Sequence, residues 1–307
     1  MTWRASLPCT RDEAEALKED IAPFAMLDSP PVLMTSEAEG EQWRLDAYFE
    51  DAPTAADLAA LAALVPSAGG NSVAVERLDD EDWVSLSQQG LEPIRAGRFF
   101  VHTPAHRDAV PADAIGFEID AGLAFGTGQH ETTTGCLLAL DRLKSSGASF
   151  ASFADVGTGT GLLAFAALRL WPAASGIASD IDPIAMEVAA ENAAINKVRI
   201  GRTRGRIELV TAAGLDHPRL KARAPYDLLI ANILAGPLID LAPALGAALE
   251  PGGALILAGL LDRQAEAVTT AYRRQGLMPS FRVLRGEWPT LVMRKRRRTL
   301  PERRGKR

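Results

Sequence analysis

The chain holds only two cysteines and four histidines in 307 residues. Cys9 and Cys136 lie far apart in sequence. That does not suggest a disulfide framework and suits a reducing compartment. The histidines are scattered and make no zinc-ligand pattern. No apolar run reaches the roughly 18 residues that a membrane-spanning helix needs. Met1 to Thr10 carries Arg4 and no long apolar core, so no secretory leader is expected. Residues 1–78 hold no Ser-His-Asp set, no metal-ligand cluster and no glycine-rich loop. Chemistry is therefore expected further along the chain, and recognition or packing in this first part.

What is present reads as ordinary soluble globular composition, 47% hydrophobic and 23% charged. The length allows two domains. The net charge of −6 is uneven, because residues 294–307 carry nine Lys/Arg and one Glu, a net of +8. The remaining body is acidic, which suits a basic protein partner. The basic tail has two readings, a solvated disordered end or a contact with RNA. No DNA or membrane partner is expected.

Residues 1–78 show a β-α-β-β-α-β pattern, a ferredoxin-like split unit. Strand signals fall at Thr2 to Pro8, Val32 to Ser36, Trp43 to Phe49 and Val73 to Leu78. Helical spacing covers Arg11 to Ile21, and Thr54 caps a second helix that ends before Pro66. Residues 79–112 read as a linker region with an acidic helix, Asp79 to Gln89. Residues 113–293 alternate strand and helix, predicting a doubly wound, Rossmann-like α/β sheet. Its elements are expected at 114–120, 151–156, 162–171, 176–180, 183–195, 206–211, 226–231, 236–249, 253–258 and 262–275. Two last strands near 279–285 and 288–294 are expected as an antiparallel hairpin at the sheet edge.

The chemistry concentrates in three strand tips. Asp155-Val156-Gly157-Thr158-Gly159-Thr160-Gly161 joins a strand to an apolar helix. Glycines there let the backbone turn and approach a ligand closely. The next strand ends on Asp180, placed to accept hydrogen bonds from two ribose hydroxyls. The dinucleotide fingerprint G-x-G-x-x-G would need a glycine where Leu162 stands, so the spacing is G-x-G-x-G. A third strand ends in Ala231-Asn232-Ile233-Leu234. An Asn at that point either caps the following helix or faces an amine or the cofactor. Upstream, Phe125-Gly126-Thr127-Gly128-Gln129-His130 leads to Thr132-Thr133-Thr134 and a helix. One reading is a helix start capped by Thr132 or Thr133. The other is a cofactor lid. A bare strand–helix turn and a nicotinamide or flavin site remain alternatives for the glycine loop.

The G-x-G-x-G turn with Asp155 before it resembles the S-adenosylmethionine (SAM) loop of class I methyltransferases. Taken with A-F-G-T-G-x-H-x-T-T (Ala124 to Thr133), D-I-D-P at 180–183, A-N-I-L-A-G-P-L at 231–238 and P-G-G-x-L-I-L-x-G-L-L at 251–261, the chain resembles the ribosomal protein L-eleven methyltransferase (PrmA) family. Glu287-Trp288 also fits. That resemblance implies SAM-dependent transfer of methyl groups to lysine ε-amines and the N-terminal α-amine of that ribosomal protein. It implies Thr133, Gly157, Gly159, Asp180 and Asn232 as SAM ligands, with Phe125, Gly126 and Thr127 in the lid and Asp182 near the adenine. Asn232 and His130 are the catalytic candidates. The small first domain would hold the substrate, in the cytoplasm. Another protein or a small-molecule amine is the alternative substrate.

Overall fold

The computed structural model describes residues 2–16, 31–38, 42–49, 51–68, 73–78, 93–119 and 129–297. The chain divides into two compact units, Met1–Leu91 and Glu92–Arg307.

In the first unit, β1 (Thr2–Cys9), α1 (Arg11–Ala16), β2 (Val32–Ala38), β3 (Gln42–Phe49), α2 (Ala55–Ala63) and β4 (Ala74–Leu78) follow in order. The sheet runs β2-β3-β1-β4 with every pair antiparallel. That is the ferredoxin-like order. Both helices start on capping boxes, since each first turn leaves unpaired N–H groups. Thr54 Oγ1 accepts from Asp57 N–H and Asp57 accepts from Thr54 N–H. Thr10 and Glu13 do the same for α1. Alternation along β3 puts Leu45, Ala47 and Phe49 into the core with Leu7 and Leu61. The expected extension of α1 to Ile21 and the acidic helix at 79–89 lie outside the described residues.

The second unit opens with a three-stranded sheet. A hairpin, β5 (Ile94–Ala96) and β6 (Phe99–His102), turns through Gly97 and is joined in parallel by β7 (Ile115–Glu118). Then come α3 (Gln129–Ser145), β8 (Ser152–Val156), α4 (Leu162–Leu170), β9 (Ser175–Asp180), α5 (Pro183–Ile195), β10 (Arg206–Thr211), α6 (Pro218–Arg223), β11 (Tyr226–Asn232), α7 (Ala235–Asp240), α8 (Ala242–Ala248), β12 (Leu249–Ala258), α9 (Ala265–Arg274), β13 (Leu277–Arg285) and β14 (Trp288–Lys295). The large sheet is ordered β10-β9-β8-β11-β12-β14-β13. Strands β8 to β12 are parallel, and β14 is antiparallel to both its neighbours.

Continuous apolar strands make this sheet two-sided, as parallel sheets require. Along β11, Leu228 and Ile230 face one core layer, which includes Phe153, Phe165 and Leu137. Leu229 and Ala231 face the other, with Leu238, Leu245 and Tyr272. Each of the fully buried Leu and Ile side chains contributes about 1.5–3 kcal/mol by leaving water. Among the described residues, no helix is long and apolar enough to cross a membrane.

Four details differ from the sequence reading. The helix expected over 236–249 is two, α7 and α8, because Pro243 in the first turn of α8 has no N–H to continue a ladder. Helix α6 was not expected, although His217 caps it and Pro218 opens it. The expected linker over 79–112 is not all linker: the second unit starts at Glu92, and β5 and β6 lie within that range, while the last two strands form the expected hairpin at the edge. Finally, Arg294 and Lys295 belong to β14 and not to a free tail. Lys295 Nζ donates to the carbonyls of Gly246 (2.7 Å) and Leu249 (2.6 Å), where α8 ends and carbonyls lack helical partners.

Candidate active site

The strand order reverses between β8 and β11, and there the crevice at the carboxyl ends of the strands opens. Three loops meet in it. The first leaves β8. Gly157, Gly159 and Gly161 have φ of 72°, 53° and 84°, backbone that residues with a Cβ adopt at a cost. The amides of Gly157 and Thr158 donate to Ser179 O on β9, at 2.8 and 2.9 Å. The second loop leaves β9. Asp180 Oδ2 accepts from Gly159 N–H at 2.9 Å and Oδ1 from Asp182 N–H at 3.2 Å. The carboxylate is thus clamped to the glycine turn while half-exposed, with lone pairs to spare. Asp182 Oδ1 caps α5 by accepting from Ile184 N–H at 2.9 Å. Asn192, from α5, donates to Thr160 O at 3.2 Å and steadies the turn.

The third loop leaves β11. Asn232 ends the strand, half-buried, and Ile233 N–H donates to Ala258 O at 3.1 Å. Ile233 sets the fit of the crevice. A Cβ on Gly157 would strike its Cγ2, and a Cβ on Gly259 would strike its carbonyl oxygen. Both glycines are therefore required by the passage of the β11 tip. Packing through Ile233 ties Asn232 to the glycine turn. The structure thus brings Gly157, Gly159, Asp180 and Asn232 together.

The other predicted residues stand differently. Phe125, Gly126 and Thr127 lie outside the described residues. His130 is the second residue of α3. Thr133 is half-buried on that helix between buried Thr132 and Thr134. The helix already begins at Gln129, so Thr132 and Thr133 lie inside it and not at its cap. Helix α3 is anchored to the β13–β14 hairpin: Glu131 pairs with Arg285 Nε at 2.9 Å, and Arg142 lies 4.2 Å over the Phe281 ring. Among the described residues, no hydrogen bond joins Thr133 to the glycine turn. The sequence reading missed two side chains at this edge, Ile181 and Leu234, each 72% exposed. Apolar residues left open beside a glycine turn offer a wall to a ligand. The available signal was an isoleucine set between two acids.

Beneath the turn lies Asp155, fully buried, with Thr158 Oγ1 donating to Oδ2 at 2.6 Å. Its Oδ1 and the Ser179 hydroxyl have no partner among the described residues. Burial pushes the Asp155 carboxyl up to about 7, the Thr158 hydrogen bond opposes the rise, and Asp180 adds to it. A buried carboxyl oxygen without a partner, beneath an open glycine cradle, fits a ligand with a polar, positively charged end. SAM, with its sulfonium and ammonium, is such a ligand.

Asp155 gives a pH prediction. An ordinary unfolded aspartate titrates near 3.9. Between about 4 and about 7 the folded protein holds a proton that the unfolded chain has lost, so stability falls as pH rises. The thermal midpoint should decline across that window, and Asp155→Asn, which cannot ionise, should flatten the decline. Equal slopes in the two proteins, followed by calorimetry, would contradict the buried-acid account.

Gly159 gives a second. No heavy atom lies within 4 Å of where its Cβ would stand. Gly159→Ala therefore carries only the strain of a positive φ, about 1 kcal/mol, or a few degrees of thermal midpoint. SAM affinity should drop about tenfold or more, because the methyl group enters the ligand's space. Unaltered affinity in a calorimetric titration would mean that the space over Gly159 holds solvent only.

Strand order, glycine turn and strand-tip acid define a class I SAM-dependent methyltransferase. The family model described as ribosomal protein L11 methyltransferase (PrmA) matches residues 13–296. The chain belongs to the ribosomal protein L11 methyltransferase family. It is 43% identical over 269 residues to a ribosomal protein L11 methyltransferase of Brucella suis, covering 87% of this chain and 90% of that one. The one from Bradyrhizobium diazoefficiens is 41% identical over 300 residues, covering 96% and 98%. Among solved structures, a ribosomal protein L11 methylase from Lactobacillus delbrueckii subsp. bulgaricus superposes with a TM-score of 0.55 at 30% identity, over 67% of this chain and 98% of that one.

Proposed function

We propose that this enzyme methylates amines of ribosomal protein L11, both lysine ε-amines and the N-terminal α-amine, in the cytoplasm. The observation that carries the reading is the meeting of an acid, a glycine turn and an amide at the tips of three adjacent strands. SAM supplies an electrophilic methyl group. The amine lone pair would bond to that methyl in line as the carbon–sulfur bond breaks, the sulfur would depart as the neutral thioether, and the methylated amine's extra proton would go to solvent. Asp180 would accept hydrogen bonds from two ribose hydroxyls. Gly157 and Gly159 would let the backbone approach, and the exposed Ile181 and Ile184 would flank the base. The family resemblance implies that Phe125, Gly126, Thr127 and Thr133 would also bind the cofactor.

Asn232 holds the incoming amine through its side-chain oxygen. A free lysine has a pKa near 10.4, so the site must take the neutral form, which a water-poor crevice favours. His130 is the candidate to receive the proton. Alignment at Asn232 supplies most of the acceleration. The first unit holds the substrate, and an acidic body suits a basic protein. Contact between residues 298–307 and ribosomal RNA belongs to the same reading and rests on charge.

Intact-mass measurement of unmethylated L11, incubated with enzyme and SAM, tests it. The mass should rise in steps of about 14 daltons, one CH₂ for each methyl transferred. SAM binding without any rise would move the search to another protein or a small-molecule amine.

A further inference from the structure

A second surface, on the edge strand β10, is not explained by methyl transfer. Residues 197–223 hold eight Lys/Arg against two acids, Glu208 and Asp216, in a chain whose net charge is −6. The local excess is therefore opposite in sign to the whole. Glu208 is buried, and three guanidinium groups converge on it through Nε: Arg202 at 3.0 Å, Arg219 at 3.3 Å and Arg223 at 3.5 Å. Arg223 is fixed further by donating to Gly176 O and Arg202 O, both at 2.6 Å. Arg199 and Arg204, exposed on the loop leading into β10, have no ion pair among the described residues.

One carboxylate neutralises one of three arginines. Crowding the other two beside it costs repulsion, and a buried ion pair is weak evidence of stabilisation. What the arrangement achieves is order. Glu208 holds the arginine stems through Nε, while the side chains of Arg202 and Arg219 stay 65% and 42% exposed. Planar guanidinium groups fixed at one end and open at the other suit bidentate contact with phosphate oxygens. The surface is also apart from the cofactor crevice. Glu208 pairs with Ile177 on β9, three residues before Asp180. At about 3.3 Å per residue, that is roughly 10 Å along the strand from the acid at its tip.

We propose that Arg202 and Arg219, ordered around Glu208, together with Arg199 and Arg204 on the loop leading into β10, form a docking surface for the sugar–phosphate backbone of RNA. Choosing RNA over an acidic polypeptide rests on the reading of the substrate as a ribosomal protein, whose working partner is RNA. The experiment measures RNA binding without methyl transfer, so its failure is separable from failure of that reading.

The full chain is titrated into a fluorescently labelled RNA stem-loop of about 20 nucleotides, by anisotropy, at potassium chloride from about 50 to 200 mM. Three proteins are compared: the unaltered chain, Arg199→Glu with Arg204→Glu, and a tail variant with Arg303, Arg304, Lys306 and Arg307 all changed to Ser. Charge reversal on the loop should weaken binding at least tenfold. It should also lower the slope of log K against log salt by roughly 2, near 0.9 for each phosphate no longer neutralised. SAM affinity and thermal midpoint, read on the same samples, should not move. If the midpoint does move, Arg199→Ser with Arg204→Ser repeats the test without reversing charge. Undiminished binding in the loop variant overturns the proposal, as does loss confined to the tail variant. Equal binding of labelled polyglutamate overturns the choice of RNA and leaves an acidic partner.

Discussion

Asp180→Ala should lower SAM affinity by about two orders of magnitude while the enzyme stays folded. The argument is one of counting. The carboxylate sits at the end of β9 with one oxygen on Gly159 N–H and the other on Asp182 N–H. Each oxygen can accept further bonds, and two ribose hydroxyls would take them. A hydrogen bond to a charged group is worth about 1.5–3 kcal/mol, and about 2.8 kcal/mol is a hundredfold in affinity. The folded protein loses less, because both orphaned amides lie at a half-exposed edge where water replaces the carboxylate. A fall in thermal midpoint of a few degrees is expected. Asp180→Asn keeps an acceptor but sets an amide donor against a hydroxyl donor, so it should fall between. Calorimetric titration with SAM decides the matter. An unchanged dissociation constant in Asp180→Ala would remove the ribose assignment and with it the cofactor geometry.

The second large effect is on turnover. Asn232→Ala should reduce the rate of methyl transfer, at saturating SAM, by about 10²–10³, the usual cost of removing one preorganised polar group at a reacting centre. Ile233 packs between Gly157 and Gly259, so Asn232 is held in place by the backbone and not by its own side chain. Truncating it should leave the crevice intact. An amine held in line is close to its attack distance, and losing that hold costs far more than the hydrogen bond itself. Single-turnover measurements separate the rate from SAM affinity, which should change by less than the rate does. Full turnover in Asn232→Ala would show that the amine is positioned by other groups. Activity in the unaltered enzyme should also rise with pH above neutrality, since the reacting amine must lose a proton first.

The meeting of the glycine turn and Asp180 was legible because its signals are local. A glycine turn needs glycines at the turn, and an acid at a strand tip needs only a strand before it. Asn232 was legible for the same reason, as a polar residue closing the apolar run Leu228-Leu229-Ile230-Ala231. The alternative reading of Thr132 or Thr133 as a helix cap fails, because the helix already runs from Gln129, three residues before Thr132. The split of α7 from α8 was legible in principle from Pro243. The apolar run on both sides outweighed it.

By itself the sequence determined that two-sided apolar strands alternate with helices, that a glycine turn and Asp180 stand at adjacent strand tips, and that the two cysteines make no framework. Those follow from periodicity and backbone conformation, which depend on residues a few positions apart. Tertiary structure alone decided the insertion of β14 between β12 and β13. It also decided the wedge of Ile233 against Gly157 and Gly259, and the gathering of Arg202, Arg219 and Arg223 on Glu208. Each of these joins residues well separated along the chain. Such pairings are chosen by which faces pack and which charges can be buried together, and no local pattern carries that information.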